Sequence, residues 1–344
     1  MIRRTKNYEY INALVRGQIG NLLKPNDYKA VLGCNKPSDI AQVLSSSSYS
    51  ELLTRSGTDS FAAIDETVSS AASQNATKVI AASPDSARTI LNEYRLSLES
   101  RSLVNSLRLQ INPGDVAASA GVIPLGAIPE IYYKLTPAAK GGGYGKNFSD
   151  PKLSHLVAES LQAALRYTST LPLLRIITYL CERFLDRKPD DTHGEEASLE
   201  RLVISNIDGA NLEVILTAMN QGMEQHAVPA SLLSQRGSLG GESLLAALNL
   251  REIERLSALF SNSRYRSCLE LKSGETFNDL LVRLPYCLMM LKSHYALAGY
   301  PFRASTVAVG ITLKLLEIRN LRLAISGASG RLNRAFVFRL MAIP

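Results

Sequence analysis

Apolar side chains recur along most of this chain at the spacing of an amphipathic α-helix. In residues 8–23 they form one stripe that contains Tyr8, Ile11, Val15, Ile19 and Leu22. The same period predicts further helices over residues 87–109, 158–184, 199–223, 242–260, 277–297 and 306–325. The sequence lacks the alternating apolar and polar runs that are typical of strands. We therefore expect an all-α fold, in which the serine- and alanine-rich residues 45–86 form helices joined by polar loops.

One short pattern occurs three times at equal intervals. Each copy has an acid, an amide or hydroxyl three residues later, a leucine next to it, and an aliphatic residue four positions further on. The copies are Glu99, Ser102, Leu103 and Leu107, then Asp208, Asn211, Leu212 and Leu216, and finally Glu317, Asn320, Leu321 and Ile325. Their acids are 109 residues apart in both intervals. On a helix the four positions share one side, which places acid and amide beside a buried leucine pair. The equal spacing predicts three helical repeats, at residues 1–110, 111–225 and 226–344.

A looser pattern accompanies this repeat and supports it only weakly. It consists of an acid followed by isoleucine and, after an uneven gap, a tyrosine. The copies run from Asp39-Ile40 to Tyr49, from Glu130-Ile131 to Tyr144, and from Glu252-Ile253 to Tyr265.

Composition narrows the class of protein. Hydrophobic residues make up 46% of the 344 residues and charged residues 20%, which is ordinary for a folded domain. No run approaches the roughly 18 apolar residues that a spanning helix needs, so we expect no membrane span. The basic N-terminal stretch lacks the apolar core of a secretory signal. The four cysteines lie far apart in sequence and are expected to be reduced thiols in a cytosolic protein.

The net charge of +7 belongs to the two ends of the chain. Residues 1–34 carry six basic and two acidic side chains, and residues 292–344 carry eight basic and one acidic. Such ends could bind an acidic protein, an anionic membrane surface or nucleic acid, although the usual nucleic-acid motifs are absent. For any single arginine, a solvated helix face is an equally good interpretation. The candidate partner-binding residues are Arg16, Arg319 and Arg322. A competing interpretation is that Arg319 or Arg322 is buried against Glu317 or Asp208.

The sequence offers little catalytic chemistry. The glycine-rich KGGGYGKN segment lacks a phosphate-loop pattern, because Lys140 stands where the first glycine is needed and Asn147 replaces the Ser or Thr. The four histidines are scattered and none belongs to a zinc-binding motif. We expect the motif acids and amides to form packing bonds between helices. We therefore predict no catalytic residue, no metal site and no cofactor.

Three segments resemble one known family, the C subunit of archaeal-type (A/V-type) ATP synthases, whose eukaryotic counterpart is vacuolar ATPase subunit d. YEYINALVRGQIGNLLKPNDYKAVL (8–32) resembles the opening of the family, and IDGANLEVIL (207–216) resembles its middle copy. The most specific match is the EIRNLR core (317–322) within residues 300–327. The first copy departs from the family pattern by carrying Ser102 where asparagine is usual. Residues 56–86 and 136–150 match no family segment.

The resemblance implies an all-α protein of three similar lobes arranged as a pseudo-threefold funnel. It implies a non-catalytic subunit, present in a single copy on the cytoplasmic side of the membrane, that joins the central-stalk D and F subunits to the proteolipid (c/K) ring. Torque would pass through it between ATP chemistry and the transport of protons or sodium ions. The alternative from the residues alone is a free-standing helical-repeat scaffold that binds an acidic protein through its basic ends. A helical enzyme is the third hypothesis.

Overall fold

The computed structural model describes residues 2–56, 59–128, 150–187, 196–223, 228–250, 252–261, 263, 265–298 and 303–343. Helices make up 75% of the described residues and no strand occurs among them, which confirms the all-α prediction. The helices are α1 (Ile2–Gly20), α2 (Pro25–Gly33), α3 (Pro37–Val43), α4 (Ser50–Ser56), α5 (Phe61–Ala81), α6 (Asp85–Ile111), α7 (Val116–Ala120), α8 (Pro151–Tyr167), α9 (Leu174–Leu185), α10 (Glu196–Asn220), α11 (Gly241–Leu248), α12 (Ile253–Leu259), α13 (Arg266–Leu269), α14 (Phe277–Leu297), α15 (Ala304–Ala328) and α16 (Arg334–Leu340).

Local sequence explains where several helices begin. Proline occupies the first position of α2, α3 and α8, where its missing N–H leaves no helical bond unmade. Ser60 caps α5 by accepting a hydrogen bond from the backbone N–H of Ala63 (3.1 Å). Thr276 and Asp279 form a reciprocal capping box at the start of α14.

Two predicted helices are each divided in two. Residues 158–184 cover the second part of α8 and nearly all of α9, because Thr168 ends α8 in the left-handed conformation (φ 50°) and a short 3₁₀ turn at Leu171–Leu173 follows. Residues 242–260 contain α11 and α12, with a break between Leu248 and Ile253. In both places the apolar period continues across a turn, so periodicity alone does not reveal the break. Residues 45–86 are helical as predicted, in α4, α5 and the beginning of α6.

The core is organised around α6, α10 and α15, and each of these helices carries one copy of the motif. Apart from Lys314, every residue of α15 from Ala304 to Ala328 is buried. That helix packs against α1, α2, α5, α14 and α16. The ends of α6 and α10, at Ile111 and Asn220, show the same 109-residue spacing as the motif acids, and α15 ends one residue short of it. The three-lobed funnel and the repeat boundaries stay predictions.

The leucine that follows the amide or hydroxyl lies in the hydrophobic core in every copy of the motif. Leu103 on α6, Leu212 on α10 and Leu321 on α15 are each 0% exposed. The aliphatic residue four positions later is buried beside it in each helix, as the pattern predicts. These leucines hold the three helices in the core, so they are packing residues and have no part in a binding surface.

One core helix has the length and composition of a membrane span. Within residues 197–220 of α10, an 18-residue window reaches a mean hydropathy of 1.3, although 89% of that window is buried inside the protein. The sequence did not suggest this run because Asp208, Asn211 and Glu213 interrupt its apolar residues. Its neighbours α9 and α14 cover it, so α10 is a core helix of this fold.

Candidate functional site

In all three copies of the motif, the amide or hydroxyl binds both polar groups of one downstream residue. Asn211 donates from Nδ2 to the carbonyl of Ser234 (2.8 Å) and accepts from its N–H at Oδ1 (2.9 Å). Asn320 makes the same two bonds with Ala342 (2.7 and 3.2 Å). The hydroxyl of Ser102 donates to the carbonyl of Ile123 (2.8 Å) and accepts from its N–H (3.2 Å). Serine thus replaces asparagine without changing the contact.

The motif acids bind loop backbone in the same neighbourhoods. Glu99 accepts from the backbone N–H groups of Gly126 (3.3 Å), Ala127 (2.6 Å) and Ile128 (3.1 Å). Because these three donors are consecutive and non-helical, the carboxylate satisfies groups that would otherwise be buried without partners. Glu99 therefore fixes the chain that follows α7.

Asp208 does the same for the segment that precedes α11. It accepts from the N–H groups of Ser238 (2.7 Å) and Leu239 (3.2 Å), and from the hydroxyl of Tyr265 (2.5 Å). A side chain at Gly237 would collide with the carboxylate, so the approach requires glycine there. Burial and the nearby Asp208 charge raise the pKa of the Tyr265 hydroxyl far above its usual value, so this group remains a hydrogen-bond donor.

Glu317 differs from the other two acids because its loop comes from the opposite end of the chain. It accepts from the N–H of Leu23 and from the hydroxyl of Tyr49, both at 2.7 Å. Lys314 also binds the carboxylate, and its ammonium lies 4.1 Å from the centre of the Tyr49 ring. The first fifty residues thereby complete the environment of the last long helix.

These contacts correct the expected packing bonds between helices. Helical N–H and C=O groups are already paired, so the buried acids, amides and hydroxyl of the motif find their partners in loops, while Leu103, Leu212 and Leu321 supply the packing between helices. Tyr49 and Tyr265 are the tyrosines of the looser acid–isoleucine–tyrosine pattern, and each binds a motif acid. Tyr144, the third tyrosine of that pattern, lies outside the described residues. We call the three sets of loop contacts the acid–amide joints.

The structure places two of the three candidate partner-binding arginines in the interior. Arg319 is fully buried, donates to the carbonyl of Leu340 (2.9 Å) and lies 3.7 Å from the centre of the Tyr286 ring. Arg322 is 7% exposed and forms a two-bond ion pair with Asp65 of α5 (2.8 and 2.9 Å). The prediction that Arg319 and Arg322 share an exposed binding face is therefore wrong, because both side chains are buried. Their burial matches the competing interpretation, except that Asp65 and Tyr286 take the place of the motif acids.

Comparison with known proteins decides the family. The chain matches the ATP synthase (C/AC39) subunit family over residues 11–337, which is nearly its whole length. The chain belongs to this family. No curated protein matches the chain. Members of this family are the C/AC39 subunit of A/V-type ATP synthase, which is the family that the sequence resembled. This subunit is not itself a known catalytic subunit.

The chain ends of this C/AC39 subunit lie side by side. Arg334 of α16 donates to the carbonyl of Cys34 (3.1 Å) and to Oδ1 of Asn35 (3.0 Å), both directly after α2. Lys29 of α2 lies 5.9 Å from the ring centre of Phe338 in α16. Exposed cations surround this contact, and we call them the terminal basic surface: Lys29, Lys36, Arg331 and Arg334. Arg16, the remaining candidate, is exposed on α1 and contacts Asn12.

Three further features of the C/AC39 subunit bear on whether it could bind a ligand or a metal ion: a cavity, the acidic, histidine and cysteine side chains, and the glycine-rich segment. A cavity of about 640 Å³ lies among α1, α4, α5 and α15 and is lined by polar and charged side chains, including Gln18, Asn75 and Lys314. No group of three or more His, Cys, Asp or Glu residues in the described parts of the chain could hold a metal ion. The glycine-rich KGGGYGKN segment lies outside the described residues.

Proposed function

We propose that this subunit is a non-catalytic coupling part of the central stalk of an A/V-type ATPase. In this proposal one copy sits on the cytoplasmic side of the membrane, where it joins the D and F subunits to the proteolipid ring. It transmits torque between ATP chemistry and proton or sodium transport. It needs no cofactor, no nucleic acid and no membrane span of its own. Membership in the C/AC39 family is the observation that carries the proposal.

The acid–amide joints support a role in transmitting force. A part that carries torque must resist deformation, and its loops are its weakest elements. Each joint ties a loop to a buried core helix through hydrogen bonds that involve a carboxylate, and such bonds contribute about 1.5–3 kcal/mol each. The Glu317 joint also connects residues 23 and 49 to a helix near the other end of the chain. The first and last segments are therefore bound to each other.

The terminal basic surface supports binding of an acidic partner. Its four exposed cations come from both ends of the chain and surround the contact between α2 and α16. Opposite charge on a partner would accelerate association, and salt would weaken it. In the proposal this surface, together with Arg16, faces a stalk or ring subunit.

Co-purification from the assembled enzyme tests the proposal. A tagged copy of the subunit should capture D, F and ring subunits from detergent-solubilised membranes, and the same tag on an unrelated helical protein should not. Capture of other proteins in place of ATPase subunits would contradict the coupling role and would support the free-standing scaffold.

A further inference from the structure

Three arginines and one glutamate meet where α6, α10 and α15 pack together. They are Arg101 and Arg108 on α6, Glu213 on α10, and Arg319 on α15. Arg319 and Glu213 are 0% exposed, and Arg101 is 6% exposed. Buried charges are normally balanced or paired, because removing an ion from water is costly. In the part of the chain that the structure describes, Glu213 is the carboxylate that pairs with this cluster.

Glu213 is fully used by two of the arginines. Its Oε2 accepts from Arg101 Nη1 (2.8 Å), and its Oε1 accepts from Arg108 Nη2. Burial raises the pKa of the Glu213 carboxyl, but the charges of Arg108 and Arg101 outweigh burial and hold it below its usual value. The carboxylate is therefore ionised and balances one of the three positive charges, and the nearby charge of Asp115 also acts on Arg108.

Several donors of the cluster lack partners among the described residues. Arg101 Nη2, Arg108 Nε and Arg319 Nε are buried and have no acceptor within hydrogen-bonding distance. The groups that Arg319 contacts are neutral, namely the carbonyls of Leu340 and Val282 and the ring of Tyr286. The Tyr286 ring centre also lies 5.8 Å from the Arg101 guanidinium. Buried N–H groups are normally hydrogen-bonded, so these donors are available to an acceptor that is not a protein group.

Small residues on α10 leave room beside Arg101. A Cβ added to Gly209 would lie 3.8 Å from Arg101 Nη2 and 3.6 Å from Leu288 Cδ1, which is ordinary van der Waals contact, so this glycine leaves a gap the size of one methyl group beside the free donor. The following residue, Ala210, stands two positions after the motif acid, where the other two copies carry Arg101 and Arg319. The repeat thus brings two arginines and one small side chain to the same region.

We propose that a halide-sized monovalent anion, such as chloride, binds beside Arg101 Nη2 with Arg319 supplying the second positive charge. The anion would accept the free N–H of Arg101 and offset the excess charge of the cluster. A small anion fits better than phosphate because the surrounding side chains are buried and closely packed. The site is separate from the proposed contacts with stalk and ring, and it concerns the interior of the subunit.

Thermal unfolding of the purified full-length chain tests the proposal. Melting is compared in sodium bromide, sodium chloride and sodium gluconate at equal ionic strength. We expect halide to raise Tm by about 2–4 °C relative to gluconate, because a ligand that binds only the folded state stabilises it. General salt effects act in the opposite order, since strongly hydrated organic anions stabilise by exclusion. Equal Tm values in all three salts would overturn the proposal.

Two variants locate the effect and one serves as control. Arg101→Gln removes a donor but leaves Glu213 paired with Arg108, and Gly209→Ala keeps every charge while filling the space beside Arg101 Nη2. Both should lose the halide-dependent rise in Tm. Arg55→Gln removes one positive charge from a side chain that is 75% exposed and should keep it. A halide response that persists in both cluster variants would overturn the site.

Anomalous diffraction from a bromide-soaked crystal adds an independent readout that does not depend on stability. A bromide peak within hydrogen-bonding distance of Arg101 Nη2 is the expected result. Solvent density without anomalous signal at that place would show that water satisfies the donors and would refute the anion site.

Discussion

Glu317 on α15 accepts a 2.7 Å hydrogen bond from the hydroxyl of Tyr49, a residue 268 positions earlier in the chain. The corresponding contact in the preceding copy joins Asp208 to Tyr265 at 2.5 Å, over 57 residues. A hydrogen bond from a buried tyrosine to a motif acid therefore occurs once over a short stretch of chain and once between segments near its two ends. The bond from Tyr49 to Glu317 is the one that joins the two ends.

Removing either tyrosine hydroxyl should destabilise the subunit to a similar degree. Tyr49→Phe and Tyr265→Phe each delete a buried donor to a carboxylate and should lower the free energy of unfolding by about 1–3 kcal/mol. Tyr49 is 1% exposed and Tyr265 is 2% exposed, whereas Tyr10 is 69% exposed. Tyr10→Phe is therefore the control and should change stability by less than about 0.5 kcal/mol. Urea unfolding measures all three, and no loss in Tyr49→Phe would contradict the closing role of the joint.

The same tyrosines predict sensitivity to alkaline pH. Burial, followed by the nearby Glu317 charge, raises the pKa of Tyr49, and burial and Asp208 do the same for Tyr265. The unfolded chain releases these protons near pH 10, so their contribution to stability is complete below that pH and is lost as the pH rises further. The free energy of unfolding should therefore fall between about pH 9.5 and 11, by up to about 1.4 kcal/mol per pH unit for each tyrosine.

Phenylalanine variants separate this effect from other groups that titrate in the same range. The combined Tyr49→Phe and Tyr265→Phe variant should show a shallower alkaline slope, while Tyr10→Phe keeps the slope of the unmodified protein. An unchanged slope in the double variant would mean that these hydroxyls already ionise in the folded state.

Arg322 should contribute to stability and not to partner binding. Arg322→Gln leaves Asp65 without its partner in a site where the two side chains are 9% and 19% exposed, and should cost about 3 kcal/mol. Arg55→Gln breaks a pair in which both side chains are 75% exposed, and should cost less than about 1 kcal/mol. Circular dichroism during thermal unfolding compares the two variants. A similar Tm for both variants would show that the buried Arg322–Asp65 pair contributes no more to stability than the exposed Arg55–Glu51 pair.

The sequence predicted helices well where one apolar face repeats without interruption. The helix predicted over residues 306–325 is α15, from Ala304 to Ala328. The motif acids were recognisable as special because identical chemistry recurred at equal spacing. Tyr49 and Tyr265 belonged to a visible pattern, although nothing in that pattern specified their partners.

The partners themselves could not be predicted because they depend on contacts between distant segments. Glu317 binds Leu23, which is 294 residues away, and Arg322 binds Asp65, which is 257 residues away. A single sequence has no periodic signal for such pairs. Arginine is usually exposed, so the basic C-terminal segment indicated a surface. Arg319 is instead buried among carbonyl groups and the Tyr286 ring, and Arg322 is paired with Asp65.

The terminal basic surface should govern association with the rest of the ATPase. Reversing charge in Lys36→Glu combined with Arg331→Glu should slow and weaken binding to acidic stalk or ring subunits while helix content stays constant, because both side chains are exposed. Lys152→Glu, on the exposed part of α8, is the control. Surface plasmon resonance at several salt concentrations measures the effect. If the double variant associates at the wild-type rate at low salt, the terminal basic surface is not part of the interface.

The ratio of ions transported to ATP hydrolysed tests the coupling role most directly. It can be measured in vesicles that contain the complete A/V-type ATPase, the same enzyme depleted of this subunit, and the depleted enzyme with the purified subunit added back. The proposal predicts that depletion abolishes ATP-driven transport while the catalytic head still hydrolyses ATP, and that adding the subunit restores the ratio. Normal transport per ATP in the depleted enzyme would contradict the proposal.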